Sequence, residues 1–332
     1  MKPKSDYAFV ISCNPAYGFG LISNMNAQNY FKTDADWEIA YGLYSDEERA
    51  AISNSFPRNV TWTPIDDLYN SMVVDKRTID KSPLERYWLA YWLLAHKLLK
   101  EKKYKAVCVI QADEFVFSNM DAYFKIAEHG TVVTSEYAFG AVKAEELPFG
   151  DENAIWDRCQ FGIFDAVNFI GQKWTQLPMD IVHFQEEDAF RGEASHSVVA
   201  LNRAVLRHCR RGDVLGLDGR LWCCDSVWPY TKLHAVGDKV YNSLWVRLYG
   251  WHARWWQKGR ALSEWRASKE ALLSSNNKDT IMWLDNCEHN FNFVRDFMMR
   301  FNNMIPEIRS TFDVVEGPIR RIRYEQGEID DR

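Results

Sequence analysis

Residues 104–124 read YKAVCVIQADEFVFSNMDAYF, in which the apolar run AVCVI at 106–110 is followed at once by Gln111, Asp113 and Glu114. A continuous apolar run of this length is typical of a strand that is covered on both faces of a parallel sheet. Open α/β sheets bind their ligands beyond the carboxyl ends of such strands. The segment therefore predicts a buried strand with a polar site at its end.

Strand-like and helix-like segments alternate upstream of this run, and this alternation predicts a doubly wound α/β sheet. Further strands are predicted at 7–13 (YAFVISC), 37–44, 60–65 and 131–134. Helices are predicted at 21–31, at 45–53 with Ser45 as the N-cap, and at 82–99. The last of these begins with Ser-Pro-Leu-Glu, a capping-box pattern, and is apolar on nearly every side, so it is expected to be buried.

The character of the chain changes after about residue 259, where helical segments are predicted at 261–274, 280–287 and 291–304. We therefore divide the chain into a domain at 1–258 and a helical C-terminal appendage with a charged tail at 259–332.

Composition limits the classes of function. The 332 residues carry a formal net charge of -6, which gives no electrostatic argument for nucleic acid or an anionic membrane as a partner. The longest apolar stretch, 87–95, is too short to span a bilayer, and no secretory leader is recognised at the N-terminus. Seven scattered cysteines without a CxxC pair favour reduced thiols. We expect a cytoplasmic protein, in the host cytoplasm if it is viral.

The acidic pair Asp113 and Glu114 is the main chemical clue. Carboxylates directly after a buried strand are costly to desolvate unless their charge has a partner. A divalent cation is such a partner, and Mg²⁺ or Mn²⁺ bound by carboxylates keeps positions open for substrate phosphates. The alternative interpretation is an acidic loop or a helix cap, and spacing alone leaves both open.

The same stretch, 104–124, resembles the DxD segment of GT-A glycosyltransferases, above all the glycogenin-like and lipopolysaccharide galactosyltransferase-like group. The resemblance implies a GT-A-like, mostly parallel twisted sheet flanked by helices, with Mn²⁺ or Mg²⁺ and a nucleotide sugar, a UDP-sugar, as cofactor and donor. It implies that Asp113 and His252 hold the metal. The first Asp of the motif is replaced by Gln111, which is expected to contact the ribose and leaves metal affinity in question.

Six residues are expected to contact the donor. They lie in the loop after the first strand, at the start of the buried helix, in the acidic segment and in the run WWQKG at 255–259: Cys13 and Asn14, Lys81 and Arg86, Gln111, and Lys258.

On the acceptor side, Asp225 is a candidate general base or a carboxylate that positions the acceptor; its alternative role is a helix N-cap. Glu114 is expected to contact the acceptor, to bind metal through water, or to be solvated. The run 186–188 (EED) is interpreted as a solvated loop. Residues 195–202 (SHSVVALN) resemble a strand of the family. The acceptor is expected to be a hydroxyl group of a glycan, with DNA bearing modified bases as a further hypothesis.

Two other functions remain open at this point. A nucleotidyltransferase uses a related sheet and metal chemistry, but its first loop carries a basic residue that 14–20 (NPAYGFG) lacks. A non-catalytic protein that binds nucleotide sugars, derived from a transferase, is motivated by Gln111.

Overall fold

The computed structural model describes residue 2 and residues 4–71, 83–112, 114–137, 163–190, 197–217, 222–224, 232–252 and, apart from 291, 295 and 299, 289–301. The strands of these ranges are β1 Tyr7–Cys13, β2 Asp36–Tyr41, β3 Val60–Pro64, β4 Ala106–Ile110, β5 Glu114–Val116, β6 Val132–Tyr137, β7 Ile163–Gly171, β8 Val214–Leu217, β9 Trp222–Cys224, β10 His234–Val236, β11 Lys239–Tyr241, β12 Arg247–Leu248 and β13 Gly250–His252. The helices are α1 Gly18–Tyr30, α2 Asp46–Ser55, α3 Ile65–Ser71, α4 Pro83–Lys100, α5 Asp121–Glu128, α6 Leu177–Phe190 and α7 Ser197–His208.

The main sheet has seven described strands in the order β3-β2-β1-β4-β7-β6-β8. All neighbours in it are parallel except those of β7, which is antiparallel to both β4 and β6. Helices of the chain connect the parallel strands, as expected when crossovers cover a sheet. The prediction of a mostly parallel α/β sheet is confirmed.

The strand order places a ligand crevice between β1 and β4. The chain passes from β1 outward to β2 and β3, then returns to add β4 on the other side of β1. Connections therefore leave β1 and β4 in opposite directions, and a crevice opens at their carboxyl ends. Cys13 and Ile110 are the last residues of these two strands.

Two apolar layers hold the helices to the sheet. On one face, Val10 of β1 belongs to a cluster with α4, α6 and α7, whose members include Leu89, Ile181 and Val205. Residues 89–95 of α4 are each at most 3% exposed, so the predicted buried helix is confirmed. On the other face, Phe9 packs in a cluster with residues of α1 and α5. Alternate residues of β1 thus serve opposite faces, as the pleat requires.

A three-stranded sheet of β5, β13 and β9 lies beside the main sheet, with β13 antiparallel to β5 and parallel to β9. Phe115 and Trp251 of this sheet belong to a third cluster with Phe297 and Phe301. The described helical residues between 289 and 301 therefore cover the small sheet. The domain boundary predicted after residue 258 lies outside the described residues.

Local signals account for some details and mislead in others. Ser45 caps α2 as predicted, because its hydroxyl accepts the N–H of Glu48 at 3.2 Å while the Glu48 carboxylate accepts the N–H of Ser45 at 2.7 Å. The strand expected at 195–202 is wrong, since Ser197–His208 forms α7. Ala200, Leu201, Ala204 and Val205 are buried, which is helical spacing. The run 186–188 is likewise in α6 and is not a loop.

Among the described helices, none combines the length and the apolar content that crossing a bilayer requires.

We predict that Gly171→Ala at the end of β7 lowers the free energy of unfolding by about 2–3 kcal/mol, the range of an overpacked core. A Cβ at Gly171 would lie 2.0 Å from the carbonyl oxygen of Ala127, and this backbone of α5 has no rotamer with which to move away. Urea denaturation followed by circular dichroism measures the change. Gly212→Ala is the control, because its Cβ would meet nothing within 4 Å. Equal midpoints for the two variants would contradict the close approach.

Candidate functional site

The loop after β1 begins with a buried cluster of hydrogen bonds. The carbonyl oxygen of Asn14 accepts the N–H of Tyr17 at 2.9 Å, the hydroxyl of Tyr44 at 3.3 Å and the thiol of Cys13 at 3.1 Å. Burial raises the pKa of the Cys13 thiol to about 12, although its hydrogen bond with Tyr44 acts in the opposite direction. The Cys13 side chain is therefore a neutral core group. That Cys13 and Asn14 contact a nucleotide stays a prediction.

Two further elements, the loop after β2 and the start of α4, meet at this end of the sheet. The N–H of Gly42, just after β2, donates to the carbonyl of Cys13 at 3.3 Å. A Cβ at Gly42 would lie 2.4 Å from the hydroxyl oxygen of Tyr87, in the first turns of α4. Glycine thus permits the close approach of α4 to the β2 loop. The first described turns of α4 therefore lie beside the loop that follows β2, at the end of the sheet where β1 ends.

Ser12 is a residue that the sequence analysis missed. It follows Val10 by two positions, so it faces the same layer as α4. Its side chain is buried, and among the described residues its hydroxyl has no hydrogen-bond partner. The only sequence signal is a single hydroxyl near the end of an otherwise apolar strand, which is equally typical of a small core residue.

Arg86, a predicted donor contact, is held in place by the protein. Its guanidinium forms an ion pair with Asp66 and lies 5.9 Å from the ring centre of Tyr69, whose hydroxyl donates to the Arg86 carbonyl at 2.8 Å. The Nε atom of Arg86 is buried without a hydrogen-bond partner in the part of the chain that is described. Burial and the carboxylate of Glu186 raise the pKa of Tyr69. Glu186 of α6 therefore also lies near this site.

The turn after β4 leads directly into the small sheet. The N–H of Glu114 donates to the carbonyl of Gln111 at 3.2 Å, so a hydrogen bond joins the two ends of the acidic turn, the segment 111–114 that links β4 to β5. Glu114 is only 2% exposed. Burial, and the Glu114 carboxylate after it, raise the pKa of the Cys108 thiol. The Glu114 carboxylate therefore lies near Cys108, in the middle of β4.

Two amide side chains of α1 fix the position of β5. The Nδ2 group of Asn24 donates to the carbonyl of Glu114 at 2.6 Å, and its Oδ1 accepts the N–H of Val116 at 3.0 Å. One turn later, Gln28 donates to the carbonyl of Val116 at 3.3 Å. These amides take the place of a neighbouring strand, because they satisfy the backbone groups on the free edge of β5. The acidic turn is thus anchored to a buried helix.

The register of the small sheet pairs His252 with Glu114. His252 is the Cα partner of Glu114 in the antiparallel ladder and of Cys224 in the parallel one. Directly opposite Cα atoms in an antiparallel pair lie about 4.5–5.5 Å apart. Asp113 immediately precedes Glu114, and Asp225 immediately follows Cys224. Positions 114, 252 and 224 therefore form one row at one end of this sheet.

Several predicted residues lie outside the described residues: Lys81, Asp113, Asp225 and Lys258. His252 is described by its backbone alone, at the end of β13. Among the described residues, no group of three or more His, Cys, Asp or Glu side chains is arranged to hold a metal ion. The metal site and the catalytic roles of Glu114 and Asp225 therefore stay predictions.

No protein-family model matches the sequence, and no curated protein sequence does. The structure is similar to that of the galactosyltransferase LgtC in complex with donor and acceptor sugar analogues, at 13% identity and a TM-score of 0.44, over 74% of this chain and 86% of that chain. It is similar to that of mouse xyloside xylosyltransferase 1, at 10% identity and a TM-score of 0.47, over 74% of this chain and 96% of that chain. It is also similar to that of the glycosyltransferase GlyE of Streptococcus pneumoniae, at 11% identity and a TM-score of 0.43, over 66% and 46% of the two chains. Likeness at this level leaves the activity to be argued from the residues of this chain.

Proposed function

We propose that the chain is a metal-dependent glycosyltransferase that moves a sugar from a nucleotide-diphosphate donor to a hydroxyl acceptor. The observation that carries the proposal is the ladder in which His252 pairs with Glu114, the residue after Asp113. This ladder lies at the end of β4, beside the crevice where the strand order reverses. His252 and Glu114, the residue that follows Asp113 in the sequence, are thus carried by adjacent strands, which supports the metal assignment that the resemblance implies.

Asp113 and His252 would hold Mn²⁺ or Mg²⁺, since carboxylate and imidazole are ligands that suit Mn²⁺ and a carboxylate suits Mg²⁺. When bound, the ion supplies positive charge for the diphosphate leaving group. The protein's own part is to fix the two strands: Asn24 and Gln28 bind the free edge of β5, and β13 pairs with β5.

The donor, a UDP-sugar, is proposed to lie between β1, the acidic turn and the start of α4. Gln111 would accept or donate a hydrogen bond at the ribose, Arg86, Lys81 and Lys258 would contact phosphate, and the loop at Cys13 and Asn14 would border the nucleoside. Glu114 and Asp225 are proposed to act on the acceptor side, because both adjoin the row formed with position 252.

Two buried polar atoms at this end of the sheet support a ligand. The hydroxyl of Ser12 and the Nε of Arg86 make no hydrogen bond within the described part of the chain. A buried polar group without a partner costs about 1–3 kcal/mol, and native proteins keep few of them. A polar donor bound in the crevice would offer hydrogen-bond partners to such groups.

The nucleotidyltransferase alternative is disfavoured by the chain between β1 and the end of α1. Residues 14–31 contain no Lys or Arg with which a triphosphate could be bound. The alternative of a non-catalytic binder differs in one measurable respect, because a catalytic site slowly hydrolyses a nucleotide sugar in the presence of Mn²⁺ and a dead site releases no nucleotide diphosphate.

A thermal-shift screen of nucleotide sugars with and without Mn²⁺ tests the proposal. We expect that a UDP-sugar and Mn²⁺ together raise Tm by several degrees, since a ligand at a hundred times its Kd stabilises the native state by about 2.7 kcal/mol. Either component alone is expected to have a smaller effect, because the ion and the diphosphate bind each other.

Asp113→Asn is expected to abolish this joint shift without changing the Tm of the free protein by more than about 2 °C. Asp238→Asn, in the exposed turn after β10, is the control and should keep the shift. A shift with nucleoside triphosphates but not with nucleotide sugars would favour the nucleotidyltransferase. No shift with any nucleotide sugar would contradict the proposal.

A further inference from the structure

The loop between β11 and β12 projects two large apolar side chains into solvent. Leu244 is 73% exposed and Trp245 is 68% exposed. Trp245 has a φ of 61°, in the left-handed region that bulky residues rarely adopt. Asn242 holds this conformation, because its Oδ1 accepts the N–H groups of both Leu244 and Val246, at 2.9 and 3.0 Å. A strained backbone held by a dedicated side chain points to a role for what the loop presents.

The indole of Trp245 is held against two other rings. Its centre lies 4.5 Å from that of His234 in a T-shaped contact and 6.1 Å from that of Tyr241. His234 and Tyr241 are paired across β10 and β11. The indole is therefore fixed in orientation while most of it stays open. A preorganised aromatic ring loses little conformational freedom when it binds a ligand.

Polar groups border this ring. The imidazole of His234 lies beneath the indole, and its Nε2 atom is buried without a hydrogen-bond partner among the described residues. The hydroxyl of Ser243 and the backbone of Lys232 bind each other next to the loop, with the Lys232 side chain exposed. An aromatic face with adjacent hydrogen-bonding groups suits a ligand that has both a C–H face and hydroxyl groups.

The size and charge of the surface select among occupants. A stable protein interface buries about 800 Å² on each partner, whereas one aromatic side chain supplies about 150–250 Å². Anionic membranes attract clusters of about four to eight basic residues. Here the described cations of β10–β12 and their flanking residues are Lys232, Lys239 and Arg247, one fewer than the smallest such cluster. The guanidinium of Arg247 lies 4.9 Å from the ring centre of Tyr249, and Arg300, from the covering helix, is already bound to the carbonyl of Gly237 at 3.1 Å. One exposed indole matches the face of a single pyranose ring.

We propose that Trp245 is a stacking platform for a carbohydrate chain, separate from the reacting groups. His252 follows Trp245 by seven positions, so their Cα atoms lie at most about 25 Å apart at about 3.6 Å per residue. A short oligosaccharide can therefore touch both places. The identification of this glycan as the acceptor rests on the proposed function. The binding of a glycan by Trp245 does not depend on it.

Direct binding is measured first, on the full chain without Mn²⁺ or donor. The probes are maltohexaose, cellohexaose and chitohexaose, each with its monosaccharide, and the readout is the ¹⁵N-indole spectrum, with the Trp245 signal assigned from its loss in Trp245→Phe. We expect at least one hexasaccharide to shift this signal. Trp245→Ala should weaken that binding about tenfold or more, which corresponds to about 1.4 kcal/mol.

Leu244→Ala is the matched control, since Leu244 is equally exposed in the same loop but has no ring. It should change the affinity less than about twofold, within the range of a surface substitution. No shift with any of the three hexasaccharides would overturn the platform, as would equal losses in the alanine variants of Leu244 and Trp245.

In a transfer assay, Trp245→Ala is expected to raise KM about tenfold for the hexasaccharide but not for its monosaccharide, with kcat unchanged, because the lost contact is uniform binding. If the protein showed no transfer activity but still bound the hexasaccharide through Trp245, the proposed function would be wrong and the platform would stand. A loss of kcat for both acceptors would overturn the role of Trp245 as a remote binding residue.

Discussion

Replacing Asn24 with alanine is expected to lower the free energy of unfolding by about 2–5 kcal/mol and to abolish ligand binding at the acidic turn. The variant removes two hydrogen bonds to the backbone of β5, one to the carbonyl of Glu114 at 2.6 Å and one from the N–H of Val116 at 3.0 Å. Each buried backbone group that loses its partner costs about 1–3 kcal/mol. Urea denaturation gives the stability, and the joint Mn²⁺ and UDP-sugar shift gives the binding.

Asn29→Ala is the matched control, because Asn29 is on the same helix but is partly exposed. Alanine has the higher helix propensity, so this variant should be unchanged or slightly more stable. The anchoring of β5 by α1 would be wrong if the two variants unfolded at the same urea concentration. Asn24→Ala that lost stability but kept the full ligand shift would show that the acidic turn does not depend on this anchor.

The sequence predicts the main sheet well because its strands carry strong local signals. The runs at 7–13 and 106–110 are continuous and apolar, and both are buried parallel strands. The small sheet was not predicted. Its strands β5, β9 and β13 are each three residues long, and such short pairings between distant segments leave no periodic pattern. Only the resemblance placed His252 beside the acidic segment.

The errors have the same origin. Residues 197–202 contain consecutive apolar and β-branched side chains, which favour a strand locally. They nevertheless form the start of α7, because the helix buries Ala200 and Leu201 against the sheet. Asn24 was not singled out because an Asn within a helix carries no signal of the strand that it binds. Residues that position a site through long-range hydrogen bonds are therefore the part of the site that a single sequence does not predict.

Asp113→Asn and His252→Gln should each reduce kcat/KM by about 100-fold or more, while the double variant is reduced little further. Two ligands of one ion act as a unit, so once the ion is weakly held the second loss removes nothing new. The measurement is kcat/KM for the nucleotide sugar over a range of Mn²⁺ concentrations. Each single variant should also need more Mn²⁺ for half of its maximal rate, since metal affinity itself is lowered.

His183→Gln, at an exposed position of α6, makes the same change of side chain at a residue that is not a predicted metal ligand, and it should keep the Mn²⁺ dependence of the unaltered protein. If the effects of the two ligand variants multiplied to about 10⁴-fold or more, Asp113 and His252 would act independently and a shared ion would be ruled out. The register of β13 on β5 places position 252 beside position 114. The result therefore also shows whether this ladder contributes to a metal site. If Asp113→Asn lowered kcat/KM and His252→Gln did not, the pairing of positions 114 and 252 would be purely structural. The metal would then be held elsewhere along the crevice.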